Sequence, residues 1–284
     1  MKTLSAIKKD LEFNGGLSSL IETLKTIAVS QFRVLEQKIK TYEKFDKAFE
    51  NFLKYIDLSK VNHPFLKPSN KTQIVIAITS DSGLLGGLNM QVVATALQQL
   101  KQIPGRLMIV GERGKAYARE GNMPFTAFSG IKDDEKYSQA IQLRNYALGK
   151  VYENSIGYLK VVYPHPISLT SQQVRVVTFL PFSEKPVAKG AAKEIFSDVI
   201  LESEPGDVVE YLLYLYMGQK LYEIFDLSRL AEFAARFMHL EESSGRLKEM
   251  DKKVKLEYFR VRHELIDRNM RELFSARLLF VSKQ

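Results

Sequence analysis

The last 79 residues read GDVVEYLLYLYMGQKLYEIFDLSRLAEFAARFMHLEESSGRLKEMDKKVKLEYFRVRHELIDRNMRELFSARLLFVSKQ (206–284) and contain no proline. Their only glycines are Gly206, Gly218 and Gly245. Proline lacks a backbone N–H and clashes with the preceding helical turn, so so long a stretch without it predicts continuous helix. At about 1.5 Å per residue such a helix would reach roughly 120 Å. The first 63 residues also lack proline, and all nine prolines lie between Pro64 and Pro205. The chain therefore divides into an N-terminal helical part (1–63), a compact middle domain (64–205) and a C-terminal helical part (206–284).

The two ends carry matching apolar repeats. Leu35, Tyr42, Phe49 and Ile56 recur every seven residues, with Phe45 and Phe52 on the adjoining stripe. Leu240, Leu247, Val254 and Val261 do the same, and Phe259, Ile266, Leu273 and Phe280 continue in a shifted phase. Seven-residue spacing keeps one seam of a helix apolar and favours left-handed supercoiling against a partner. The partner that needs fewest assumptions is the other end of the same chain, which predicts an antiparallel two-helix coiled coil. The phase change near 254–259 turns the final seam away from that partner. Residues 268–280, with Arg268, Arg271 and Arg277 among apolar positions, then face solvent or another subunit.

The middle reads as an α/β domain of Rossmann-like type. IVIAIT (74–79) is a β-branched apolar run of the kind found in buried strands. RLMIVG (106–111), FTAF (125–128), YLKVVY (158–163) and QVRVVTFL (173–180) are the further strands, the last two a hairpin-like pair. Helices are expected at 90–102, at 112–121 with Gly121 as the stop, and at 134–153. Alternation of this sort implies a mainly parallel sheet with helices on both faces. Residues 181–205 read as an irregular link.

No catalytic constellation emerges. Gly83, Gly86 and Gly87 follow the first strand as G-x-x-G-G, whereas a dinucleotide turn needs G-x-G-x-x-G. Leu88 and Asn89 stand where a phosphate loop would carry Lys and Ser or Thr. Glu112 alone makes a weak ribose-binding acid. His63 and His165 sit beside prolines in expected loops, and His239 and His263 are too far apart for a helical zinc pair. Asp81, Ser82 and the pair Asp133–Asp134 lack an acid/base partner, and the pair reads instead as a helix cap.

Composition narrows the class further. The net charge is +8, with the excess greatest over 245–284, where eleven Lys and Arg face six Asp and Glu. That pattern fits a solvated helix face or an acidic partner surface. It lacks the dense basic block with interleaved aromatics that marks nucleic-acid binding. The absence of cysteine removes disulfides, thiolate metal sites and cysteine nucleophiles. No run has the length of a membrane span, and MKTLSAIKKDLEF lacks the apolar core of a signal peptide.

Five colinear segments resemble the gamma subunit of F-type ATP synthases. ITSDSGLLGGLN (78–89) is similar to the family's strand-and-loop motif, and IVGERGKAYAREG (109–121) to its VG-x-[KR]-G segment. VVYPHPISLTSQQVRVVTFLPF (161–182), EFAARFMHLEESSGRLKEM (232–250) and LKTIAVSQFRVLEQ (24–37) complete the set. The resemblance implies a non-enzymatic rotor shaft that needs no cofactor, metal or small-molecule substrate of its own. It implies as partners a hexamer of alternating catalytic and non-catalytic subunits, an epsilon-type subunit and a membrane rotor ring. It also implies a peripheral position on the cytoplasmic side of a cell membrane, as part of a membrane-bound complex. Lys25, Arg236 in the AAR segment and Arg262 match family positions at the hexamer. RVRHELIDRNM (260–270) departs from the family pattern through His263, Asp267 and Asn269, which would lie at the same contact. An alternative sodium-linked or hydrolysis-only branch stays open, as do a nucleotide-binding α/β enzyme with dimerisation arms and a coiled-coil scaffold.

Overall fold

The computed structural model describes residues 2–53, 56, 58, 60–182 and 203–281, with side chains up to residue 275. Six helices and five strands follow one another as α1 (Leu4–Ile39), α2 (Glu43–Leu53), β1 (Gln73–Ile78), α3 (Leu88–Gln102), β2 (Gly105–Val110), α4 (Glu112–Glu120), β3 (Phe125–Phe128), α5 (Lys136–Tyr152), β4 (Tyr158–Ser168), β5 (Ser171–Leu180) and α6 (Pro205–Val281). They form two compact units, one of Ala28–Phe237 and one of Met1–Ile27 with Met238–Gln284.

In the larger unit the sheet order is β3-β2-β1-β4-β5. The first four strands in that order run parallel, and β4 and β5 form the antiparallel pair. Every residue of β1 is buried, as its β-branched composition requires of a central strand covered on both faces. One face presents Val75, Ala77, Leu107, Ile109 and Val162 to Val92 and Ala96 of α3 and Ala118 of α4. The other presents Ile74, Ile76, Ile78, Met108 and Val110 to α5 and α6. The α5 residues on that face, Ala140, Leu143, Ala147, Leu148 and Val151, follow the spacing of one helical stripe. The α6 residues are Val209, Leu213, Met217, Leu221 and Ile224. The first turns of the C-terminal helix are thus part of the domain core.

Two glycines let α4 approach the sheet. Gly111 has φ of 98°, and a Cβ there would lie 2.3 Å from the Thr79 carbonyl oxygen. A Cβ on Gly114 would lie 2.3 Å from Thr79 Oγ1, which instead accepts a hydrogen bond from the Gly114 N–H.

The N-terminal part, read from the sequence as one helix, is two. α1 runs unbroken through Gly15–Gly16 and ends at Ile39, where no proline or glycine stands. Thr41 turns its hydroxyl back to the Lys38 carbonyl at 2.8 Å, and α2 restarts with Glu43 and Asp46 in its first turn. Those acids complement the positive end of the helix dipole. The break coincides with the tertiary contacts of Lys38 and Tyr42, described below.

Within the larger unit, α1 and α2 pack antiparallel to α6. Phe32 and Leu35 meet Leu230, Phe233 and Ala234. Further along, Lys220 bonds Asp46 at 2.9 Å, and the Phe49 and Tyr216 rings stack at 4.3 Å. The sequence-derived seam is visible in Tyr42, Phe49 and Ile56, all buried, whereas Phe52 is half exposed. The smaller unit shows the same antiparallel pairing. Ile21 packs with Leu240 and Leu247, flanked by Leu17 and Leu24, while Ser244 donates to Glu22 at 3.2 Å. Ile7, Asn14, Ile21 and Ala28 extend the seven-residue seam toward the N-terminus.

The expected strands and helices all form, with ends shifted by a few residues. Residues 183–202 of the expected irregular link lie outside the described residues. His165, expected in a loop, is in β4 between Pro164 and Pro166. β1 pairs with β4 only as far as Val162, so beyond that point one edge of β4 is unpaired and proline costs no ladder bond there.

Candidate partner interface

The loop after β1 is a packing turn. Asp81 Oδ1 accepts the Glu112 N–H at 2.8 Å at the start of α4, and the Ser80 carbonyl accepts the Arg113 N–H at 3.0 Å. Asn89 holds Ser80 through both its backbone N–H and its hydroxyl. Leu85 and Leu88 pack against Ala235 of α6. The loop is thus tied to the start of α4 and, through Leu85 and Leu88, buried on the long helix, while Leu84 between them and the strand stays half exposed.

Of the histidines that the sequence left without a role, His63 has a structural one and His165 is half-buried. The Phe65 N–H donates to His63 Nδ1, so His63 Nε2 carries the proton and donates to Glu210 at 3.0 Å. Burial, reinforced by Arg175, pulls the His165 imidazole down to about 4, which keeps it neutral near pH 7.

The proposed contact residues fall into three settings. Lys25 keeps only 14% of its side chain exposed and pairs with both Glu22 and Glu241 in the smaller unit. The hydrogen bond to Glu241 is the main reason its ammonium is raised above its usual range. Arg236 is half-buried beside Glu232, which is 2% exposed. Burial pulls its guanidinium down and Glu232 offsets part of that. Glu232 accepts from Arg229 at 3.1 Å, yet burial pushes its carboxyl up to about 7 against the pull of Arg229 and Arg236. The AAR segment thus lies over an acid buried within the helix itself.

The third setting is exposed. Arg262, His263, Asp267 and Asn269 are all exposed on α6. Helical spacing puts Arg262, Ile266 and Asn269 on one face and His263, Asp267 and Met270 on its neighbour. Among the described residues Arg262 has no ion pair, whereas nearby Arg260 and Arg268 are held by Glu264 and Glu272. His263 Nδ1 donates back to the Phe259 carbonyl at 2.7 Å. Leu256 is 71% exposed and Leu273 68%, with Phe259, Leu265, Ile266, Met270 and Phe274 exposed between them. The shifted apolar series is therefore uncovered in the described chain, and its Phe280 lies outside the described side chains.

A polar centre in the larger unit was missed by reading the sequence. Asp226 of α6 is fully buried. Its Oδ1 accepts from Lys136 at 2.7 Å, and its Oδ2 accepts from Tyr42 at 2.5 Å and Lys38 at 2.8 Å. Burial alone would raise the carboxyl, but the bonds from Lys136, Lys38 and Tyr42 outweigh it and hold it below the usual carboxylate range. The available signal was an acid between apolar residues in IFDL (224–227).

Relatives agree with this architecture. A family profile described as ATP synthase matches residues 3–277. The ATP synthase gamma chain of Bdellovibrio bacteriovorus is 25% identical, covering 97% of this chain and 98% of its own length. That of Clostridium pasteurianum is 22% identical, covering 96% and 97%. A chain in the solved Euglena gracilis mitochondrial ATP synthase, OSCP/F1/c-ring in rotational state 3, superposes with a TM-score of 0.67 at 17% identity, over 96% of this chain and 93% of that one. The chain belongs to the ATP synthase family. Its relatives over nearly the whole length are ATP synthase gamma chains, and within the family the chain is of the gamma type.

Proposed function

We propose that this gamma-type chain carries torque between a membrane rotor ring driven by ion flow and a catalytic hexamer that makes or hydrolyses ATP. Its paired end segments, 1–63 and 206–284, act as the shaft, and the domain of 64–205 faces an epsilon-type subunit and the rotor ring. The chain works peripherally, on the cytoplasmic side of a cell membrane. Among the described residues no helix is long and apolar enough to cross a membrane.

One observation carries this reading. Over 256–274, α6 exposes seven large apolar residues beside Arg262, which has no ion pair among the described residues. A contiguous exposed apolar surface marks an interaction site rather than a solvated face. A hexamer lining would cover it, with Arg262, His263, Asp267 and Asn269 as polar contacts, while Lys25 and Arg236 meet the same partner from positions already anchored within the chain. Complementary charge at such a surface sets register more than affinity. Co-expression with ATP synthase hexamer subunits from the same genome, followed by native mass spectrometry, tests this. One copy of the chain per ring is expected; rings that form without it overturn the reading.

A further inference from the structure

The Asp226 centre sits where four helical elements of the larger unit meet. Lys38 and Tyr42 bring the end of α1 and the turn into α2, Lys136 brings the first turn of α5, and Asp226 itself belongs to α6. Lys38 also donates to Tyr222 at 2.8 Å, and the Tyr222 ring packs edge-on against Tyr42 and Tyr137. Lys136 is shared with Asp133, which lies 3.7 Å from Arg229 of α6.

This arrangement differs in kind from the apolar seams on either side. An apolar seam is tolerant: a small slide exchanges one aliphatic contact for another of similar energy. A buried carboxylate with three directional donors is not, because a slide of α1 or α5 by one residue strands a charge away from water. Buried ion pairs contribute little net stability compared with apolar residues of the same volume. Their best-attested use is to fix register. The helix break at residues 40–42 has no glycine or proline to cause it, and it is where Lys38 and Tyr42 converge on Asp226.

We propose that Asp226 is a positioning residue for torque transfer, locking the rotational register of α1 and α6 to α5 and hence to the sheet domain. This rests on the torque-carrying role proposed above. Lys38, Tyr42 and Lys136 are its three anchors, one oxygen serving the domain and the other the α1–α2 turn. The helices therefore turn the domain as one body, without winding against it.

The chain lacks cysteine, so spin labels at Glu36→Cys on α1 and Ser138→Cys on α5 report this joint alone. Pulsed electron resonance on the full-length chain should give one narrow distance. Asp226→Asn should lose that single peak to a broad distribution. In the assembled complex the same substitution should leave ATP hydrolysis intact and lower the ions pumped per ATP. Tyr42→Phe, which strands no charge, should broaden the peak in the same direction, and it decides the matter if Asp226→Asn fails to fold. The triple variant Lys38→Met, Lys136→Met, Asp226→Leu should unfold cooperatively, at a midpoint near that of the unsubstituted chain, and still show the broad distribution. A folded Asp226→Asn chain with an unchanged peak and an unchanged pumping ratio overturns the proposal, and so does a triple variant with a narrow peak. Failure of the unsubstituted chain to join a hexamer would instead defeat the rotor reading, and the distance measurement would still decide whether the joint is rigid.

Discussion

The Tyr42 phenol donates a 2.5 Å hydrogen bond to Asp226, joining the turn that ends the first helix to the first third of the last. The two residues are 184 positions apart in the chain. The bond is buried and its acceptor is charged, which places it among the stronger hydrogen bonds in proteins.

Tyr42→Phe removes that one donor while Lys38 and Lys136 still neutralise Asp226. A hydrogen bond to a charged group contributes about 1.5–3 kcal/mol. The variant should lose stability in that range, read as a lower urea midpoint at unchanged slope. A loss below about 0.5 kcal/mol would mean that water replaces the phenol and the site is not closed.

Glu232 makes stability depend on pH. Its carboxyl is raised in the folded chain to about 7, so the folded state binds the proton more tightly than the unfolded state does. Its contribution is therefore fully present below the ordinary carboxylate range and is lost as pH rises toward 7. The loss is at most about 3 kcal/mol. Glu232→Gln should be close to the unsubstituted chain at pH 4 and more stable than it at pH 8, in urea titrations at both. An equal difference at the two pH values would show that Glu232 titrates normally.

Gly114→Ala tests the fit of α4 against β1. The new Cβ would meet Thr79 Oγ1 at 2.3 Å and Ile109 Cγ2 at 2.8 Å, and neither atom belongs to a flexible chain end. Overpacking of this kind costs about 1–3 kcal/mol. Thermal unfolding should register that loss, with the helical circular dichroism signal otherwise retained.

Most of this fold was legible in the sequence because its signals are local. The β-branched run at 74–78, the stripe on α5 and the absence of proline from both ends each follow from short-range physics. The break at 40–42 was not legible, since Lys40, Thr41 and Tyr42 are acceptable helix residues and Asp226, the partner of Tyr42 there, lies 184 positions away. Nor was the role of the first α6 turns, because Val209, Leu213 and Met217 suit a coiled-coil seam and a sheet-covering face equally well. The contact residues divide the same way. Arg262 reads as an exposed cation and is one. Lys25 looks the same in sequence, yet it is engaged by Glu241, a partner that only the fold supplies, and Arg236 follows Glu232 by one helical turn, an acid whose burial the sequence did not show.

Arg262→Glu separates contact from folding. With no ion pair to break among the described residues, the reversal should change the stability of the isolated chain by less than about 0.5 kcal/mol. In the complex it should lower the ions pumped per ATP, and more so at low salt, where screening is weakest. Unfolding of the isolated variant would assign Arg262 a structural role instead.

The central claim is mechanical, and rotation tests it most directly. The cysteine-free chain takes a single introduced cysteine on its sheet domain, to which a bead can be attached while the hexamer is fixed to glass. The account predicts that the bead turns in one direction in discrete steps when ATP is supplied. A hexamer that hydrolyses ATP around a bead that stays still would contradict it.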